Sequence, residues 1–161
     1  MSKVIELDSI DKEIISILQS DSTKSIQFIA EQVGLSNNPC WRRIKRLEDE
    51  GLIERRVAII NPRVIGLGTT AFVSIKIDQH EGGWLEKFAT CVEQIPEIVE
   101  CHRMAGEVDY LLKIIVRDLE HYDRVYRRMI NDIPGLSDVS STFSMEQLKH
   151  RTAIDVASLV S

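Results

Sequence analysis

The hydrophobic period of this 161-residue chain changes near residue 60, and that change restricts the possible folds more than any other feature. Before it the apolar residues recur at helical spacing; after it strand-like and helix-like segments alternate. Asp8 stands at a helix cap ahead of an apolar stripe of Ile10, Ile14, Ile15, Ile17 and Leu18. Ser25 precedes Ile26, Ile29, Ala30 and Val33, which predict a short second helix stopping at Gly34. Ser36 caps a third helix that runs to Glu50 and ends at Gly51, with Pro39 in the first turn, where a missing N–H costs little. Two short helices joined through Gly34-Leu35-Ser36 match the helix-turn-helix arrangement. Leu52 to Ile60 reads as a strand or wing.

Asn61-Pro62 through Gly66-Leu67-Gly68 reads as a hinge. Beyond it Thr69 to Ile77 alternates as a strand, Trp84 to Ile95 is helical, and Ile98 to Met104 and Tyr110 to Val116 are strands flanking Ala105-Gly106-Glu107. Leu119 to Ile130 is helical again, Pro134-Gly135 turns the chain, and Ser137 to Leu148 is a last strand. The order βαββαβ is the ferredoxin-like split pattern. The expected class is therefore α+β, divided into a winged helix-turn-helix unit over residues 1–60, a hinge over 61–68, and a ferredoxin-like domain over 69–161.

Charge follows the same division. The net charge of −5 argues against a general nucleic-acid binder, yet from Ser36 to Arg63 seven Lys and Arg face only four Asp and Glu. A local basic patch on an acidic body is what a compact DNA-reading element looks like. On the third helix, at 100° per residue, Ile44 and Leu47 fall within about 40° of Cys40 and face the core. The opposite side carries Asn38, Arg42 and Lys45, with Trp41 and Arg46 on its flanks. Such a helix can enter the major groove, where Arg reads guanine and Asn reads adenine, while Ser36, Asn37 and the first N–H groups can hold a phosphate. The candidate DNA-binding set is Ser36, Asn37, Asn38, Trp41, Arg42, Arg43, Lys45 and Arg46. Each cation can serve a base or a phosphate, and Trp41 suits either the core edge or the DNA backbone. Arg55 and Arg56 are either phosphate contacts from the wing or ordinary surface arginines. Cys40 reads as a small core residue.

Other function classes find little support. Cys40, Cys91 and Cys101 form no Cys-x-x-Cys pair, and His80, His102, His121 and His150 are scattered without ligand spacing, so no metal is expected. Cys101 and His102 are the sole adjacent Cys/His pair, and a strand would point them to opposite faces. No Gly-rich phosphate loop is present, so no catalytic activity or cofactor is expected. Residues Met1 to Leu7 lack the pattern of a secretory signal, and no run approaches the ~18–20 apolar residues of a membrane span, which suggests a cytoplasmic protein with reduced thiols.

Two long motifs carry a resemblance. Ser36-Asn37-Asn38-Pro39-Cys40-Trp41-Arg42-Arg43-Ile44-Lys45-Arg46-Leu47-Glu48 followed by Glu50-Gly51-Leu52-Ile53, and Met104-Ala105-Gly106-Glu107-Val108-Asp109-Tyr110-Leu111-Leu112, resemble the leucine-responsive regulatory protein/asparagine-regulator (Lrp/AsnC) family over nearly the whole chain. The resemblance implies a transcription factor of amino-acid metabolism or transport, with a winged helix-turn-helix and a ferredoxin-like (RAM-type) domain. It implies homo-oligomers built from dimers into tetramers, octamers or larger rings. Asn37-Asn38 departs from the Ser-Pro or Pro-Thr of many members, which implies a different preferred operator. Ile133 to Val139 and Met145 to Lys149 resemble a branch that includes cysteine-responsive regulators.

The residues around Asp109 have two readings. Taken alone, Asp109 caps or pairs locally with Arg103 or Lys113. The resemblance implies instead an effector pocket at the contact between dimers around the Gly-x-x-Asp turn, where Asp109 suits a ligand ammonium and backbone N–H groups suit its carboxylate. The candidate effector residues are then Met104, Gly106, Asp109 and Tyr110, with Ser141, Thr142 and Phe143 of the last strand from the same or a neighbouring subunit. Trp84 belongs to the core or closes this pocket. Leucine, cysteine, methionine and similar amino acids are the candidate effectors, double-stranded DNA and further copies of the chain the partners. The alternative is an architectural protein that binds DNA without an effector.

Overall fold

The structure is a computed structural model that describes residues 4–78 and 83–159. His80 lies outside the described residues. The chain divides into two units: residues 4–59 with 149–159, and residues 60–148.

In the first unit, α1 spans Ser9–Ser20, α2 Ile26–Gln32 and α3 Asn37–Asp49. Asp8 starts α1 through a capping box, its Oδ1 accepting the Asp11 N–H at 2.8 Å while Asp11 Oδ2 accepts the Asp8 N–H at 3.2 Å. Ser25 Oγ accepts from Phe28 N–H at 3.1 Å to start α2. Ser36 stands at the N-cap of α3 with extended backbone, yet its hydroxyl makes no capping bond. Both helices that flank the recognition turn end in the same way. Gly34 and Gly51 take left-handed backbone (φ +69° and +78°), which residues with a Cβ rarely adopt. The next N–H then reaches back five residues, Leu35 to the Ala30 carbonyl at 2.9 Å and Leu52 to that of Leu47 at 3.0 Å. The stripes these helices present, including Ile14, Ile15, Leu18, Ile29 and Ala30, close over Cys40, Ile44 and Leu47 in one core.

Residues 52–60 form no strand, contrary to one of the two expectations for them. They have no ladder partner among the described residues, and a single extended segment does not make a stable sheet. The hinge holds one 3-10 turn, Pro62–Ile65, because Asn61 caps the Arg63 N–H at 3.1 Å and proline supplies the first turn.

The second unit is a four-stranded antiparallel sheet in the order β2-β3-β1-β4, with β1 Thr69–Ile77, β2 Ile98–Arg103, β3 Tyr110–Val116 and β4 Leu136–Phe143. Helices α4 (Trp84–Glu93) and α5 (Leu119–Asp132) supply the other half of its core. Alternate residues of β1 (Ala71, Val73, Ile75) and β3 (Tyr110, Leu112, Ile114, Val116) are buried against Phe88, Val125 and Met129. Trp84 is core, its Nε1 donating to the Pro134 carbonyl at 2.7 Å and its ring stacked on Phe88 at 4.9 Å. β4 stops at Phe143 rather than Leu148. Its partner β1 begins at Thr69, and the last bond available is Ser144 N–H to the Thr70 carbonyl at 2.9 Å.

The final residues do not stay with this unit. The sequence places 149–161 in the ferredoxin-like domain, whereas 149–159 group with the helix-turn-helix. Their apolar residue Val156 has its cover there, against the first core.

Leu112 is fully buried in the centre of β3, so Leu112→Ala leaves a cavity. It is expected to destabilise the second unit by about 2–5 kcal/mol, read from the urea midpoint of the full chain.

Candidate nucleic-acid interface and effector region

The four cations of α3 divide into two groups by their angle round the helix. Arg43 and Arg46 lie on the flank that meets α1, and both are held there. Arg43 Nη1 donates to Asp8 Oδ2 at 2.6 Å and to Asp11 Oδ1 at 2.8 Å, and Arg46 Nη2 donates to Asp11 Oδ2 at 2.5 Å. Asp11 is only 1% exposed, the one polar or charged side chain buried among the described residues. A buried carboxylate is tolerated only with full pairing, and both its oxygens are paired. Arg43 and Arg46 of the expected DNA-binding set are thus engaged with α1, although their side chains stay 30% and 43% exposed. Sequence reading missed the two acids as anchors, taking Asp8 as a cap alone. The available signal was the Asp8-x-x-Asp11 spacing opposite a basic helix.

The outward face keeps the remaining residues. Ser36, Asn37, Asn38, Trp41, Arg42 and Lys45 are all exposed, and Trp41 is half exposed. Lys45 pairs with Asp49 at 2.8 Å across one turn, which raises its pKa, but both partners are solvated and such a pair is weak. Arg42 has no hydrogen bond or ion pair among the described residues. Of the two wing arginines, Arg56 is paired with Glu48 at 2.8 Å and Arg55 is unpaired among the described residues. Cys40 is fully buried and burial pushes its thiol pKa up, in keeping with a core residue.

In the second unit the turn from Met104 to Asp109 is closed by backbone bonds, Met104 N–H to the Asp109 carbonyl at 2.8 Å and Asp109 N–H to the Ile75 carbonyl at 2.9 Å. The Asp109 carboxylate is half-buried and Oδ2 accepts the Ile77 N–H at 2.8 Å. Neither Arg103 nor Lys113 is its partner; Lys113 pairs with Glu100 at 2.7 Å. Oδ1 of Asp109 has no hydrogen-bond partner among the described residues. Met104 and Gly106 are exposed beside it.

Tyr110 is not part of this group. It is 4% exposed and its ring packs on Phe88 at 4.4 Å, because the first residue of β3 points to the helix side of the sheet. Ser141 bonds to the Tyr122 hydroxyl, Phe143 meets the Tyr122 ring edge-on at 4.9 Å, and Thr142 points to the other side opposite Phe72. All three lie on β4, across β1 from β3 in the same chain. Tyr110 pairs with Ile75 and Phe143 with Ala71, four residues along β1, or about 13 Å. A cleft of about 470 Å³ follows Ile133 to Val139 and contains none of the predicted effector residues. Cys101 and His102 do point to opposite faces, opposite Leu112 and Leu111. No group of His, Cys, Asp and Glu suited to a metal occurs among the described residues. No helix among them is long and apolar enough to cross a membrane.

A helix-turn-helix with a basic outward helix, followed by a ferredoxin-like unit, defines a DNA-binding regulator with a sensing domain. Residues 7–54 match the family model for a winged helix-turn-helix DNA-binding domain, and residues 70–154 that for the Lrp/AsnC ligand-binding domain. The DNA-binding transcriptional activator DecR of Escherichia coli is 48% identical over 150 residues, 93% of this chain and 99% of the relative. An AsnC family transcriptional regulator from Agrobacterium tumefaciens superposes with a TM-score of 0.90 at 45% identity, covering 96% of this chain and 100% of that one. A Neisseria meningitidis transcriptional regulator in complex with L-methionine superposes with a TM-score of 0.88 at 31% identity, covering 94% and 97%. The chain belongs to the Lrp/AsnC family of transcriptional regulators. It is a regulator that binds DNA and carries a ligand-binding domain, not an enzyme.

Removing the buried acid takes from Arg46 its Asp11 partner and leaves Arg43 with Asp8 alone. Asp11→Ala is expected to destabilise the first unit by on the order of 3 kcal/mol, measured by chemical denaturation. At Asp8, the Asp11 N–H and then the Arg43 guanidinium hold the carboxyl below its ordinary pKa of 3.8. A group depressed in the folded state stabilises it above the unfolded pKa, and that contribution is lost as pH falls through the folded value. Asp8→Asn keeps a cap but not the charge. It is expected to melt below the parent at pH 7, with the two curves converging as pH drops below 3.8.

Proposed function

We propose that α3 reads the major groove through Asn38, Arg42 and Lys45, with Ser36, Asn37 and the first N–H groups of the helix on a phosphate and Trp41 beside the backbone. The observation that carries this reading is the division of the arginines. Arg43 and Arg46 are engaged by Asp8 and Asp11, while Arg42 is left without a partner among the described residues on the face that also holds Asn38. A fixed helix with a free guanidinium can meet guanine bidentately. Arg42→Ala is expected to lower affinity for a duplex selected from a random pool roughly tenfold without moving the unfolding midpoint. Unchanged affinity with an altered midpoint would make Arg42 structural.

The effector on this reading is a small amino acid, with leucine, cysteine and methionine as candidates. The relative crystallised with L-methionine and a 44%-identical glutamate uptake regulatory protein of Zymomonas mobilis support the class. Asp109 Oδ1 faces the ligand ammonium and backbone N–H groups near Gly106 its carboxylate, with Met104 alongside. Ser141, Thr142 and Phe143 lie on β4, across β1 from the strand that follows Asp109, and on this reading they join the site from another copy. The protein then works as a homo-oligomer, dimers assembling to a tetramer or octamer, in the cytoplasm where its DNA lies. A ligand bound between copies shifts assembly by its differential affinity, and assembly sets how many recognition helices face the same DNA.

Asp109→Asn preserves an acceptor for the Ile77 N–H while removing the charge. It is expected to keep the parent's melting temperature and lose the shift that a bound amino acid produces, in a thermal-shift screen of all twenty. A shift surviving in the variant would remove Asp109 from the site. No shift in the parent would favour the architectural role.

A further inference from the structure

The chain enters the DNA-binding unit twice, once at its start and again at residue 149. The second entry is held by one side-chain amide and by apolar packing. Near the end of α1, Gln19 Nε2 donates to the Ile154 carbonyl at 2.9 Å, and Gln19 Oε1 accepts the Ile154 N–H at 2.7 Å. One amide group thus satisfies both backbone groups of one residue, as a neighbouring strand would in a hydrogen-bonded pair. Two residues on, Val156 packs against the core that holds Ile14, Ile15 and Leu18. Asp155 Oδ1 accepts the Ser158 N–H at 3.2 Å and caps the closing turn, α6 (Val156–Leu159). Ile154, Val156, Leu18 and Leu52 line one groove of about 700 Å³. The tail's side-chain hydrogen bonds among the described residues include none to Asn38, Arg42 or Lys45, so it leaves the outward face of α3 clear.

We propose that residues 149–159 are a latch on α1 whose role is to restrict the DNA-binding unit's freedom of rotation. A domain joined by one connection can swivel; one joined by two is restrained about the axis between them. The second connection here is short. Ten residues, 144–153, separate Phe143 at the end of β4 from the anchored Ile154, at most about 36 Å of extended chain. Restraint matters little for one helix-turn-helix meeting one half-site. It matters when two copies must present their helices at a fixed spacing, because lost orientational freedom is then already absent before binding. The proposal rests on the homo-oligomeric reading given above.

The test uses the full chain, its Gln19→Ala variant and a chain ending at Leu148, against duplexes carrying one or two copies of a half-site selected from a random pool. Hydrogen exchange at the Ile154 amide is expected to be slow in the parent and at least tenfold faster in Gln19→Ala. Affinity for the two-site duplex is expected to fall at least threefold in both variants, while one-site affinity stays within twofold of the parent. Gln19→Glu, which keeps the acceptor and loses the donor, is expected to fall between. Equal loss on both duplexes would make the tail a plain stabilising element and overturn the latch; so would unaltered exchange, or unaltered two-site affinity. A parent chain that shows no two-site advantage and elutes as a monomer would instead overturn the oligomeric reading itself, and the latch with it.

Discussion

A carboxylate taken out of water has to be neutralised by its neighbours, and in this protein that requirement sets the angle between two helices. Asp11 is buried at the start of α1, so α3 must supply guanidinium groups at the distance and direction the two oxygens demand. Arg43 and Arg46, three residues apart on one flank, do so. The apolar contacts of Cys40, Ile44 and Leu47 resist separation of the helices but tolerate some sliding. Ion pairs at 2.5–2.8 Å do not. The orientation of Asn38, Arg42 and Lys45 toward solvent follows from the apolar stripe opposite them and the charge buried against one flank of the same helix.

In the second unit the expected effector residues are spread over β3 and β4, on either side of β1. The antiparallel register places Tyr110, next to Asp109, and Phe143 at the end of β4 about 13 Å apart along β1. Packing then removes Tyr110 altogether, because the alternation that buries Leu112 and Ile114 also buries the ring two residues earlier. What remains is a half-buried carboxylate with one oxygen bound to the backbone of β1 and the other without a hydrogen-bond partner among the described residues.

Much of this was legible in the residues. The change of period at residue 60 predicted two units, and the elements of the second follow the βαββαβ order, β3 to the residue. The core face of α3 was readable because 3.6-residue periodicity places Cys40, Ile44 and Leu47 together without reference to anything else. Failures occurred where the deciding partner is remote. Periodicity counts Arg42, Arg43, Lys45 and Arg46 as one basic face, and only α1, more than thirty positions earlier, separates them. Asp109 was read against Arg103 and Lys113 nearby, whereas its partner is the Ile77 backbone thirty-two positions away. The last strand was drawn too long because its end is set by where β1 begins.

The sequence by itself determined the secondary elements, their order, the buried stripes and the family motifs, since each depends on local periodicity, caps and turn glycines. Only the tertiary structure decided which charges are spent inside the molecule and which face outward. It alone returned the tail to the helix-turn-helix, through a glutamine 135 positions from its partner. Hydrogen bonds and ion pairs act over about 3 Å whatever the distance along the chain, so they are assigned by how the elements pack and not by the order in which their residues are written.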